Sequence, residues 1–184
     1  PKAVSNFTKN VEMLFNKKRD LLIVVGGGSL PPEMYDRPHE DELQPHRDRM
    51  EEQVIHYCVA HGIPIIATCR GMQYINVMFG GKLRYHPDLP VERKRGVDHQ
   101  VWLIKEERNI WVNNYHDDCI FEADLAPCFE PLALDRENGI VEAFGSDEMK
   151  ILALQWHPER RFETANAYEE TRKIMLNFIQ KYVR

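Results

Sequence analysis

With 184 residues, 43% hydrophobic and 29% charged, the chain is the size of one soluble domain that buries a core without disulfides or metal. Its net charge of −5 and scattered basic residues exclude the dense basic face that nucleic acid or an anionic membrane requires. Cys58, Cys69, Cys119 and Cys128 form no C-x-x-C pair and no metal-ligand spacing with the eight histidines, which predicts reduced thiols in a cytoplasmic protein with no metal. No apolar run reaches the roughly 20 residues of a membrane span. The chain opens at Pro1 rather than Met, which leaves a segment before it open.

In chain order, the apolar residues Phe7, Val11, Leu14 and Phe15 predict a short amphipathic helix over 5–19. Leu21–Val25 is a continuous apolar run ended by Gly26-Gly27-Gly28, as expected of a parallel strand buried on both faces. Residues 29–45, with four prolines, read as a long loop. Met50, Val54, Ile55 and Cys58 then recur at helical spacing over about 47–61, and Gly62 is placed to end that helix. Ile63–Thr68 is a second buried strand, followed by a helix through Met72, Ile75 and Met78 to Gly80-Gly81. Strand–helix–strand–helix predicts an α/β fold of three layers, with a mostly parallel central sheet flanked by helices in flavodoxin-like fashion.

The stretch 83–100 is polar and contains proline, and Glu92-Arg93-Lys94-Arg95 reads as a solvated basic loop. Beyond it, short strands are expected at 101–104, 110–112, 130–134, 140–144 and 151–155, separated by turns at Asn113-Asn114, Asp117-Asp118 and Asn138-Gly139. This half is expected to fold back antiparallel on the sheet edge. A C-terminal helix over 167–183 collects Tyr168, Ile174, Met175, Phe178, Ile179 and Tyr182 on a covering face. There are no repeats or linkers, so residues 1–184 read as a single domain.

Two strands end abruptly at reactive side chains. The run Pro64–Thr68 stops at Cys69, flanked by the small residues Ala67 and Gly71, and a helical pattern follows at once. A strand–turn–helix of this kind holds a nucleophile at a sharp turn, and the N-terminus of the helix favours thiolate over thiol. A cysteine at such a turn is expected near the surface, with little packing energy. The alternative is an inert thiol buried at the end of a core strand. The run Ile151–Trp156 likewise stops at His157, with Pro158 stiffening the turn and Glu159 two residues on. An imidazole takes the proton of a thiol, and a carboxylate fixes its tautomer and stabilises its charged form. Strands of an open α/β sheet gather such groups at their carboxyl ends. The Gly26–Gly28 turn can expose backbone N–H groups suited to an oxyanion, the alternative being a tight turn alone, and it lacks the spacing of a nucleotide-binding loop.

VVGGGS at 24–29, ATCRGMQ at 67–73 and ALQWHPE at 153–159 resemble the class I glutamine amidotransferase superfamily, and within it the γ-glutamyl hydrolase branch of the γ-glutamyl-GABA hydrolase type. Arg47-Asp48 with Glu51, Val112-Asn113-Asn114-Tyr115-His116 and Val141-Glu142-Ala143 resemble further patterns of that branch, in the same order. The resemblance implies Cys69 as nucleophile, His157 as general base and acid, and Glu159 as the orienting carboxylate. It implies an oxyanion hole from the backbone N–H groups of Gly27 and Arg70, with Gln73, Tyr115 and His116 near the substrate. For His116 the alternative is a turn histidine without a ligand. Ala67 stands where many members have Gly, and Asn114 where they have Ser; members also usually begin with a further strand and helix.

The implied reaction is hydrolysis of a γ-glutamyl amide through a glutamyl thioester, with no cofactor and a small γ-glutamyl substrate as partner. A glutaminase subunit that delivers ammonia to a separate synthetase is the second reading, and a non-catalytic binding protein on the same fold the third. A homodimer is the other protein partner these readings admit.

Overall fold

A computed structural model describes residues 15, 20–36, 43–85 and 95–183. The helix expected over 5–19 lies outside the described residues except for Phe15, which packs on the core with its ring 6.2 Å from that of Tyr57.

Among the described residues, the main sheet has seven strands in the order β1–β3–β10–β9–β8–β5–β6. They are β1 (Leu22–Val24), β3 (Ile65–Thr68), β5 (Asp98–Leu103), β6 (Arg108–Asn113), β8 (Glu130–Asp135), β9 (Ile140–Ser146) and β10 (Ile151–Leu154). β1 and β10 flank β3 in parallel, with Ile23 opposite Ile66 and Leu154 opposite Thr68. From β10 onward, through β9, β8, β5 and β6, every pairing is antiparallel. A smaller sheet joins β2 (Tyr35–Asp36), β4 (Leu83–Tyr85) and β7 (Asp118–Cys119).

Among the described residues, three α-helices cover the main sheet: α1 (Pro45–His61), α2 (Arg70–Met78) and α3 (Ala167–Tyr182). Every position of β3 and β10 is buried, the condition under which a strand reads as one uninterrupted apolar run. Ile65, Ala67, Ile151 and Ala153 meet Ile55 and Cys58 of α1 and Met72 and Ile75 of α2. Ile66, Leu152 and Leu154 belong to the second core, which Ile174, Met175, Phe178 and Ile179 of α3 cover. The result is helix, sheet and helix in three layers. Proline in its first turn starts α1, and Gly62 ends it in the left-handed conformation at φ 65°, as its position in the sequence predicts.

Five local expectations are corrected. The run 21–25 is not buried on both faces, since β1 ends the sheet among the described residues, with Ile23 exposed and Val25 beyond it exposed as well. Asn113 closes β6 instead of forming a turn, and Asp118 lies in β7. The loop over 29–45 includes a 3-10 turn at Pro32–Met34 and the β2 segment, with 37–42 outside the described residues. Tyr168 is exposed, leaving the next turns of α3 to cover the sheet.

Candidate active site

β3 delivers Cys69 to the sheet's carboxyl rim. Its backbone sits at φ 51°, ψ −114°, in territory that non-glycine residues avoid, and is held there by its own N–H donating to Leu154 O at 2.8 Å. α2 starts at the next residue, so the chain reverses from strand to helix around the sulfur. Gly71 allows that reversal, because a Cβ there would collide with the Val24 carbonyl of β1.

The thiol is buried, contrary to its expected surface position. Burial pushes its pKa up to about 11, outweighing the Arg70 backbone N–H that bonds the sulfur and the more distant Arg160 and Arg95. The protein alone therefore holds a thiol, and the thiolate expected from the helix N-terminus is not its resting form.

β10 delivers His157 from the neighbouring parallel strand. Because Thr68 pairs with Leu154, Cys69 and His157 leave adjacent strand ends on one rim. Glu159 Oε1 lies 2.6 Å from His157 Nδ1. A carboxylate only accepts, so Nδ1 carries the proton and Nε2 is left as the basic nitrogen. Burial lowers the pKa of His157 despite the Glu159 carboxylate, which raises it. Burial raises that of Glu159, yet the hydrogen bond from His157 and nearby backbone and charge bring it below the ordinary carboxylate value. Near neutrality the ring is an uncharged base beside an ionised partner.

The His157 backbone is clamped as well. Asn113 Nδ2 donates to His157 O and His157 N–H donates to Asn113 Oδ1, both at 2.9 Å. A Cβ at Gly26 would come within 2.7 Å of His157 Cε1, so glycine there lets the turn lie against the ring. The Tyr115 ring meets the imidazole edge-on at 5.5 Å, and the Arg160 guanidinium stacks over Tyr115 at 4.3 Å. Among the described residues, no hydrogen bond joins the Cys69 sulfur to His157.

A polar cavity of about 480 Å³ opens over the sulfur. Six of the expected residues line it: Gly27, Cys69, Arg70, Gln73, Tyr115 and His116. His157 adjoins it through Tyr115, and Glu159 stands behind His157. Gln73 Nε2 donates to Asp118 O at 3.2 Å and to Gln155 Oε1 at 3.3 Å, which fixes its amide one helical turn from Cys69. His116 Nδ1 donates to Asp118 O at 3.0 Å, and its Nε2 lies 3.8 Å from the wholly buried Glu142. Glu142 also reaches His99 Nε2 at 3.3 Å, so one carboxylate sits between two histidines beneath the cavity.

Sequence reasoning missed Arg95, Asp117 and Asp118 on the cavity wall. Arg95 closes the Glu92–Arg95 run that reads as a solvated loop, and nothing in its spacing signals a pocket. Asn113 carried a signal, as part of the Val112–His116 pattern, without a role attached to it.

The sequence model of the Peptidase C26 family matches residues 8–159. The chain belongs to the Peptidase C26 family. This C26 chain is 29% identical over 177 residues to YvdE of Lactococcus lactis, named for its likeness to glutamine amidotransferases, with 86% of the chain and 73% of that protein covered. It is 28% identical over 173 residues to the γ-glutamyl-γ-aminobutyrate hydrolase PuuD of Escherichia coli, with 81% of the chain and 67% of that protein covered. A crystal structure of a glutamine amidotransferase from Thermotoga maritima superposes with a TM-score of 0.55 at 20% identity, covering 86% of this chain and 64% of that one. The fold is thus the class I glutamine amidotransferase α/β fold that the motif resemblance implies, with parallel pairing in the main sheet confined to β1, β3 and β10. Among the described residues, no helix is long and apolar enough to cross a membrane.

Proposed function

We propose that this C26 protein is a cysteine hydrolase of γ-glutamyl amides, with Cys69 as nucleophile, His157 as base and acid, and Glu159 as the orienting carboxylate. The observation that carries the reading is the placement, past two adjacent strand ends, of a buried thiol on a strained backbone and an imidazole whose Nδ1 is engaged by a carboxylate at 2.6 Å. A structural cysteine needs neither the strained turn nor the neighbouring base. The substrate class follows from the γ-glutamyl hydrolase named among the relatives and from the polar cavity, whose Arg95 and Asp117 suit the α-carboxylate and α-amino group of a glutamyl moiety.

Attack begins from a neutral pair. As Sγ bonds to the γ-carbonyl carbon, its proton passes to His157 Nε2, and the imidazolium formed is stabilised by Glu159. The N–H groups of Gly27 and Arg70 receive the oxyanion. His157 then returns the proton to the departing nitrogen, the C–N bond breaks, and the amine leaves a glutamyl thioester on Cys69. Water, deprotonated by His157, hydrolyses the thioester to glutamate and restores the thiol. Gln73, Tyr115 and His116 hold the glutamyl group during both steps.

Incubation of the purified chain with a panel of γ-glutamyl amines and with glutamine, followed by glutamate assay, tests the reading. Glutamate release from at least one γ-glutamyl amine, with little from glutamine, is expected. Release from glutamine alone favours a glutaminase subunit, and no release from any compound overturns the hydrolase.

A further inference from the structure

Arg47, in the first turn of α1, reaches across to the glycine turn after β1. Its Nη2 donates to Val25 O at 2.6 Å and its Nη1 to Gly26 O at 3.0 Å. The Gly26–Gly27 peptide is trans, and in a trans peptide the carbonyl and the following N–H point in opposite directions. A guanidinium that holds Gly26 O therefore turns the Gly27 N–H away from itself. Gly27 lines the cavity with Cys69. With the peptide rotated, a carbonyl would take the place of that N–H and repel an oxyanion.

The guanidinium is itself braced. Arg47 Nε donates to Glu51 Oε1 at 2.6 Å, and Nη1 also donates to Gln44 Oε1 at 3.0 Å. The other oxygen of Glu51 accepts from Arg70 Nη1 at 2.7 Å, and Arg70 Nη2 pairs with Asp48. Arg70 is the residue whose backbone N–H bonds the sulfur. One carboxylate thus ties together two arginines, one set against the Gly27 peptide and the other carrying the second amide in its own backbone. Gly27 must also be glycine for this approach, because a Cβ there would strike the Arg47 guanidinium. Arginine suits the task, since its rigid fork serves two carbonyls and a carboxylate at once, where an ammonium on a flexible stem does not.

We propose that Arg47, braced by Glu51, is a positioning residue of the oxyanion hole that fixes the Gly26–Gly27 peptide with its N–H toward the substrate. The proposal rests on the hydrolase reading above, and it assigns Arg47 no contact with substrate or sulfur. Arg47→Met and Arg47→Lys in the full chain test it, with γ-glutamyl p-nitroanilide as substrate and the iodoacetamide rate at the Cys69 peptide as control.

Arg47→Met lowers kcat about 10- to 100-fold, somewhat below the loss from deleting an oxyanion donor outright. KM changes by less than about 2-fold. The alkylation rate stays at the wild-type value, because alkylation of a thiol develops no oxyanion. Arg47→Lys retains an intermediate kcat. An unchanged kcat, or kcat and alkylation falling together, overturns the proposal. If Arg47→Met fails to fold, Arg47→Lys carries the same comparison. A wild-type protein without turnover overturns the hydrolase reading instead. The crystal structure of the Arg47 variant then decides: a rotated Gly26–Gly27 peptide supports the positioning role, and an unrotated one refutes it.

Discussion

Two pairs of strands in the main sheet, β3 with β10 and β5 with β6, handle polar residues in opposite ways. In β3 and β10 every residue is buried, and the reactive groups come just past the last residue, at Cys69 and His157. In β5 and β6 exposed positions interrupt the buried ones, with Gln100 on β5 and Asn109 and Trp111 on β6 carrying the wet face. A strand buried on both faces has no solvent side along its length, so its chemistry collects at the carboxyl end. A strand with one wet face lends support instead. Asn113 closes β6 and grips the His157 backbone, while Glu142 in β9 lies under His116. In the proposed mechanism the parallel strands present the reacting groups, and the antiparallel strands hold them at their angle.

Substitutions on either side of that divide sharpen it, and the largest effect belongs to Cys69→Ala. Turnover falls to the uncatalysed background in a glutamate-release assay. The thermal midpoint moves by no more than a few degrees, because one sulfur is lost from a turn already under backbone strain. A measurable residual rate would place the nucleophile elsewhere.

Glu159→Gln comes next, with kcat about 10²-fold lower. Its pH profile carries the more specific mark. In the proposed mechanism His157 works as a neutral base, and burial holds its pKa below the ordinary 6.5, so the acid limb of the wild-type profile is expected below that value. Glu159 raises the His157 pKa, so its loss moves the limb to still lower pH. A limb that moves upward contradicts the pairing.

Smaller again is the contrast between two glycines. Gly71→Ala forces a Cβ into the Val24 carbonyl, costs about 1–3 kcal/mol in chemical denaturation, and lowers turnover by disturbing the Cys69 turn. Gly139→Ala, in the β8–β9 hairpin at φ 66° with open space around it, costs about 1 kcal/mol and leaves turnover unchanged. Equal losses of activity in the two variants would erase the division between presenting and supporting strands.

Much of this was legible in the chain itself, where a pattern breaks. An apolar run that halts at Cys69 or His157 marks a buried strand reaching its rim, and Gly62 marks the end of α1. What was not legible depends on long-range geometry. Arg47 and Glu51 belong to a recognisable local pattern, but the carbonyls that Arg47 holds lie more than 20 residues away and carry no side-chain signal. Asn113-Asn114 has turn chemistry, yet the Asn113 amide is consumed by the His157 backbone, which frees it to close a strand. The thiol's protonation was misread because a helix N-terminus is visible in sequence and the burial opposing it is not. Arg95 sits in a basic run whose approach to the cavity depends on how the chain returns to β5.

The most direct test is acid quenching of the wild-type protein during turnover of γ-glutamyl p-nitroanilide, followed by peptide mass spectrometry. The account predicts one glutamyl group esterified to the sulfur of the Cys69 peptide, absent in Cys69→Ala, with the exposed Cys128 unmodified. Turnover with no adduct on Cys69 but a glutamyl group on another residue would contradict it.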